Sequence, residues 1–112
     1  MADAPSTDSS ALWGAAKLIG RECSTVNKNF YKCKKSDRDP AACLEHGAAA
    51  TECGLNVLRT LNASCAAPFA AYRKCLDSSV YNLNQFETCR TQQLALQKCY
   101  DSANASSSAA SA

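Results

Sequence analysis

The stretch CSTVNKNFYKCKKSDRDPAACLEHGAAATEC, Cys23–Cys53, holds four cysteines at uniform ten-residue intervals. A second set follows at Cys65, Cys75, Cys89 and Cys99, so the chain carries four consecutive Cys-x9-Cys pairs and no odd thiol. Ten residues of α-helix advance to about 80° short of three full turns and rise roughly 15 Å. Both members of a pair therefore lie on one side of a helix. Two such helices laid antiparallel can be cross-linked at both ends.

The spacing argues against other uses of eight thiols. Structural zinc sites place two ligands within a few residues of each other, and thioredoxin-like redox centres need Cys-x-x-Cys. Here no two cysteines are closer than ten positions. The single His46 stands on a presumed helix without a thiol at ligand spacing, and reads as a surface or packed histidine. No metal and no cofactor is expected.

A chain of 112 residues with low-complexity ends is marginal without cross-links or partners. In the chain-entropy description, each cystine closing a loop of some tens of residues contributes about 3 to 4 kcal/mol. Twelve Lys and Arg stand against ten Asp and Glu, a balance too even for nucleic acid to be the main partner. No apolar run reaches membrane-spanning length.

Disulfides require an oxidising space. Residues Met1 to Ser10 show neither a positive n-region nor an apolar h-region and carry Asp3 and Asp8 before the first basic residue, Lys17. The expectation is an oxidised protein without a cleavable leader, which points to the mitochondrial intermembrane space; a secretory signal already removed is the competing explanation, against which the sequence begins with Met1.

Linker chemistry selects among the many connectivities open to eight cysteines. Between Cys33 and Cys43 the chain is polar and ends in Asp39-Pro40, which suits an N-cap followed by Pro at the first helical position. Between Cys75 and Cys89, Asp77-Ser78-Ser79 and Asn82 mark another turn, and Asn84 with Glu87 has the form of a capping box. From Cys53 to Cys65, by contrast, Leu55, Leu58 and Leu61 continue a helical period. The fold expected is all-α, two antiparallel helical hairpins joined outer to outer and inner to inner. The pairs are Cys23 with Cys53, Cys33 with Cys43, Cys65 with Cys99, and Cys75 with Cys89.

Four segments follow: an N-terminal arm and short helix (1–20), a first hairpin (21–63), a second hairpin (64–101) and a Ser/Ala-rich tail (102–112). The first helix is expected from about Ala11 to Ile19, capped by Ser9 or Ser10 and stopped at Gly20. A second begins after Cys23 with Ser24 as cap, and a third runs from Pro40 to about Asn62. Pro68 implies a break near Ala66 and a helix from there to about Asp77. The last spans Asn84 to about Tyr100, and the tail offers nothing to bury and is expected to be disordered in isolation.

Large side chains recur three residues before a cysteine: Phe30 before Cys33, Tyr72 before Cys75, Phe86 before Cys89 and Leu96 before Cys99. At that spacing each shares a helix face with the sulfur. They either fill the hairpin seam or, before oxidation, form the ridge that docks on the disulfide-relay oxidoreductase of the intermembrane space during import. The cluster Lys28, Lys32, Lys34, Lys35 and Arg38 reads as a solvated helix end, with an acidic subunit or lipid headgroups as the alternative partners. Trp13, with Leu12, Leu18 and Ile19, gives the first helix an apolar face outside both hairpins; Leu55, Val57, Leu58 and Leu61 do the same for the third. Each face either folds back on the chain or anchors to a partner.

With these residues in place, the chain resembles the quadruple Cys-x9-Cys (CHCH-type) accessory subunits of mitochondrial complex I, the family of the eighth alpha-subcomplex subunit. Beyond the cysteines, the resemblance rests on Ser9-Ser10-Ala11, Gly20, Asn27 with Phe30, Asp39 to Cys43-Leu44-Glu45 with Gly47, Cys65-Ala66 with Pro68-Phe69 and Tyr72, and Cys89-Arg90 with Gln92-Gln93. It implies a non-catalytic subunit on the intermembrane-space face of the membrane arm, supporting assembly and stability, with other complex I subunits as partners. The chain stops soon after Cys99, as plant-type members do, whereas animal members carry a long extension. The alternatives are a soluble assembly or metallochaperone-like factor of the wider superfamily, and an enzyme of disulfide exchange, for which a shuttle motif is missing.

The bonding scheme is checked by mass spectrometry. The native protein should weigh eight hydrogens less than its reduced form, and alkylation before reduction should label no more than a trace of thiol.

Overall fold

The computed structural model describes residues 5–37, 39–79 and 83–111, with side chains described as far as Asn104. Six α-helices and one 3-10 turn make up these residues, and no strand occurs among them: α1 Ser9–Glu22, α2 Ser24–Ser36, the 3-10 turn Pro40–Cys43, α3 Leu44–Ser64, α4 Ala66–Ser78, α5 Gln85–Thr88 and α6 Arg90–Ser111. Cys23 is bonded to Cys53, Cys33 to Cys43, Cys65 to Cys99 and Cys75 to Cys89. The first two bonds tie α2 and its flanking residues to α3, and the last two tie α4 to α6 and its entry.

Helix boundaries differ from the sequence expectation in a consistent way. Cys23, Cys43, Cys65 and Cys89, the first member of every Cys-x9-Cys pair, sit at junctions between helices with ψ of 17°, 16°, 36° and 19°. An α-helix holds ψ near about −42°. Hydrogen bonds nevertheless run up to and away from three of the junctions: Cys23, Cys65 and Cys89 donate to Ile19, Leu61 and Gln85, and accept from Asn27, Phe69 and Gln93. The chain bends there without reversing. All four junction cysteines are at most 1% exposed, whereas Cys33, Cys53, Cys75 and Cys99 lie within helices and are half-buried. Every cystine joins one sulfur of each kind.

This explains several corrections. Helix α1 does not stop at Gly20 but continues to Glu22, because Gly20 has no positive φ and the bend arrives at Cys23. Its cap is Asp8, not Ser9 or Ser10; the Asp8 carboxylate accepts from Ala11 N–H at 3.1 Å. Ser24 is the first residue of α2, and its expected cap position is held by Cys23. Asp39 does cap the next element, accepting from Ala41 N–H at 3.1 Å with Pro40 in the first turn, but that element opens as a 3-10 turn and the α3 that follows reaches Ser64. The Asn84–Glu87 capping box does not form: the Asn84 side chain makes no cap bond, and the final helix is divided at Cys89. The helix after it does not end at Tyr100. Its backbone runs to Ser111, since alanine has the best helix propensity and no Gly or Pro interrupts an already nucleated helix. Asn82, expected in a turn, and Arg38 lie outside the described residues.

The two apolar faces set apart in the sequence cover each other. Ala11, Ala15 and Leu18 of α1, at helical spacing, join Val57, Leu58 and Leu61 of α3 in one core with Phe69, Tyr72 and Leu76 of α4 and Leu96 and Tyr100 of α6. Neither face is left for a partner except at its margin, where Leu12 and Trp13 are 42% and 40% exposed. Each fully buried Leu or Phe contributes about 1.5 to 3 kcal/mol through removal from water. Small residues let α1 approach closely; a Cβ on Gly14 would stand 3.0 Å from the Phe69 ring.

Polar contacts fix α1 at both ends. At the start, Arg73 of α4 donates to both Asp8 oxygens (2.9 and 3.1 Å) and to Ser10 Oγ (3.0 Å). At the end, Arg21 pairs with Asp101 at 2.6 Å and lies over the Tyr100 ring, while Asn104 donates to Glu22 at 2.8 Å. The Ala11 N–H, and then the Arg73 charge, hold the Asp8 carboxyl below its ordinary value against some opposing desolvation.

Three outcomes test this packing. Gly14→Leu should destabilise the protein by about 1 to 3 kcal/mol through overpacking against Phe69. Gly20→Ala, with nothing within 4 Å of the new Cβ, should stabilise it by about 0.5 to 1 kcal/mol in the same urea titrations. Because Asp8 has a lowered folded-state pKa, its contribution is complete above the ordinary aspartate range and is lost as pH falls through the folded value. An acid titration of Trp13 fluorescence should show that loosening, and Asp8→Asn should remove the step.

Candidate functional site

All eight sulfurs are consumed in cystines, leaving no free cysteine. No cluster of three or more His, Cys, Asp or Glu side chains suited to a metal occurs among the described residues, and His46 is exposed on α3. No described helix is long and apolar enough to cross a membrane.

The first hairpin is an arm with almost no core. Among described residues from Ser24 to Asn56, Cys43 is the one buried side chain. The arm is held instead by its two cystines and a thin seam. In that seam the Phe30 ring meets the space over Gly47, where an added Cβ would stand 3.2 Å from Phe30 Cε1, and Lys34 lies 5.6 Å from the ring centroid. Leu44, which lines a groove with Pro40, Ala48 and Thr51, is 69% exposed. Farther down α3, Arg59 bonds Glu52 and Asn56.

The second hairpin is packed differently. Tyr72 and Leu96 are 4% and 1% exposed, and burial pushes the phenols of Tyr72 and Tyr100 above their ordinary range. The Gln85 amide donates to the Leu76 carbonyl at 2.7 Å, in a buried contact that fastens α5 under the end of α4. Next to it Phe86 remains 47% exposed, with its ring centroid 6.5 Å from that of Trp13, and Leu83 is fully exposed. Thus α1 and α5 together present an aromatic pair at the surface.

The four side chains singled out beside the cysteines are therefore not equivalent. Tyr72 and Leu96 fill the core, Phe30 is half-buried in the arm seam, and Phe86 faces outward beside Cys89. They do not form one site in the folded chain. Sequence reading missed the role of Asp8, Ser10 and Arg73 because their contact joins residues more than sixty positions apart. Of the basic cluster read as a solvated helix end, Lys34 and Lys35 do lie exposed in the last turn of α2, while Lys28, Lys32 and Lys35 also share one exposed face of the helix.

No family model matches the chain. The chain is 40% identical over 94 residues to NADH dehydrogenase [ubiquinone] 1 alpha subcomplex subunit 8-A of Arabidopsis thaliana, covering 84% of each chain. It is 37% identical over 94 residues to subunit 8-B of the same plant, covering 84% of this chain and 86% of the relative. The NADH-ubiquinone oxidoreductase 20.8 kDa subunit of Neurospora crassa is 32% identical over 93 residues, 81% of this chain and 49% of that longer protein. With identity of this extent spanning both hairpins, the chain belongs to the family of NADH dehydrogenase [ubiquinone] 1 alpha subcomplex subunit 8.

Proposed function

We propose that the chain is a non-catalytic accessory subunit of respiratory complex I. It sits on the intermembrane-space face of the inner membrane and supports assembly and stability of the membrane arm. The observation that carries this reading is the 40% identity to the Arabidopsis subunit over 84% of both chains. Four cystines add to it, since they belong in an oxidising compartment. A rigid unit of this kind acts through the surfaces it presents to other subunits.

Before oxidation, the large side chains three residues before Cys33, Cys75, Cys89 and Cys99 (Phe30, Tyr72, Phe86 and Leu96) form the ridge that docks on the disulfide-relay oxidoreductase. Phe86 is the strongest of the four, because packing accounts for Tyr72 and Leu96 but leaves half of Phe86 in solvent.

Complexome profiling of mitochondrial membranes should place the protein with assembled complex I, and depletion should lower the amount of that complex. Migration as a free small protein would overturn the reading. Protease added to mitochondria with a ruptured outer membrane should reach it. For import, Phe86→Ala should slow mixed-disulfide formation with the oxidoreductase while leaving the thermal midpoint of the oxidised protein within a few degrees.

A further inference from the structure

We propose that the outward face of α2 is a docking surface for an anionic phospholipid bilayer. Helix α2 has no buried residue; apart from Ser24 at its first position, its half-buried residues are Val26, Phe30 and Cys33, which define its inward side. On a helical projection Lys28, Tyr31, Lys32 and Lys35 centre about 180° from those three. Their spacing of i, i+3, i+4 and i+7 makes one stripe roughly 10 Å long. All four are exposed, Tyr31 to 63%.

The charge of this stripe is unusual for the chain. Helix α2 contains four of the seven lysines and no acidic residue, so it carries +4 in a protein whose net charge is +2. The remainder is therefore −2. Among the described residues every ion pair is made by an arginine: Arg21 with Asp101 and Glu22, Arg59 with Glu52, and Arg73 with Asp8. No described carboxylate pairs with the α2 lysines. Arginine's planar fork suits one fixed carboxylate, whereas lysine is a compact charge on a flexible stem. A row of lysines fits a diffuse layer of phosphate headgroups better than a single protein carboxylate.

Tyr31 supports the same occupant. It stands between Lys28 and Lys35 on the stripe, and Lys35 Nζ lies 5.5 Å from its ring centroid. An exposed tyrosine among lysines is the composition of a membrane–water interface, where the ring settles at headgroup level and the lysine stems extend toward phosphate. The arm carries this face at the edge of the fold: among the described residues α2 packs chiefly on α3, with smaller contacts to the 3-10 turn Pro40–Cys43 and to α1.

The proposal does not depend on incorporation into complex I, so it is tested on the isolated oxidised full-length chain. Cosedimentation is measured with vesicles of phosphatidylcholine alone and of phosphatidylcholine mixed with phosphatidylglycerol. Binding should require the anionic lipid and fall as salt is raised. Each lysine near such a surface contributes about a fivefold gain in affinity. Lys28→Gln/Lys32→Gln/Lys35→Gln should therefore weaken binding by about a hundredfold, with an unchanged helical circular-dichroism spectrum. Lys74→Gln/Lys98→Gln, at exposed positions elsewhere, should bind anionic vesicles much more tightly than the α2 variant. Equal binding to neutral vesicles, equal losses in the two variants, or binding to polyglutamate without binding to vesicles would each overturn the proposal.

Discussion

Each of the four cystines joins a sulfur buried at a bend between helices to a sulfur half-buried on a neighbouring helix. That recurring bond sets the rest of the architecture. Because the first cysteine of each pair occupies the bend, the chain changes direction where it is also cross-linked. A bend alone would leave two short helices free to reorient; a bond alone would not turn the chain. Together they define where α2, α3, α4 and α6 run.

The two hairpins use this device under opposite conditions. The second is anchored in a hydrophobic core to which α1 and α3 also contribute, so its cystines reinforce packing that already exists. The distal part of the first has little apolar surface to bury. There the covalent bonds replace a core, which frees the outer side chains of α2 from any structural duty. Alanine and lysine can then occupy positions that packing would otherwise reserve for larger apolar groups.

Membership of the subunit 8 family accords with this division of labour. Helix α1 is the wedge of the fold. Small residues at Ala11, Gly14 and Ala15 let it close over α3 and α4, and ion pairs at Asp8 and Arg21 hold its two ends against α4 and α6.

Much was legible in the amino-acid order because disulfide hairpins are specified locally. Ten-residue spacing, the polar Lys34–Asp39 linker with Pro40, and the unbroken leucine period from Leu55 to Leu61 determine the helical class and the bonding scheme. The same local rules failed at Gly20, Ser24 and Asn84, where cap preferences were overruled by bends at the buried cysteines. They failed again at the tail, where low apolar content suggested disorder but alanine propensity extends the helix. Only the tertiary structure decided that the α1 and α3 apolar faces meet, that Tyr72 and Leu96 are buried while Phe86 is not, and that no described carboxylate forms an ion pair with the α2 lysines. Spacing along a helix determines which residues share a face; what lies opposite depends on contacts between residues far apart in sequence.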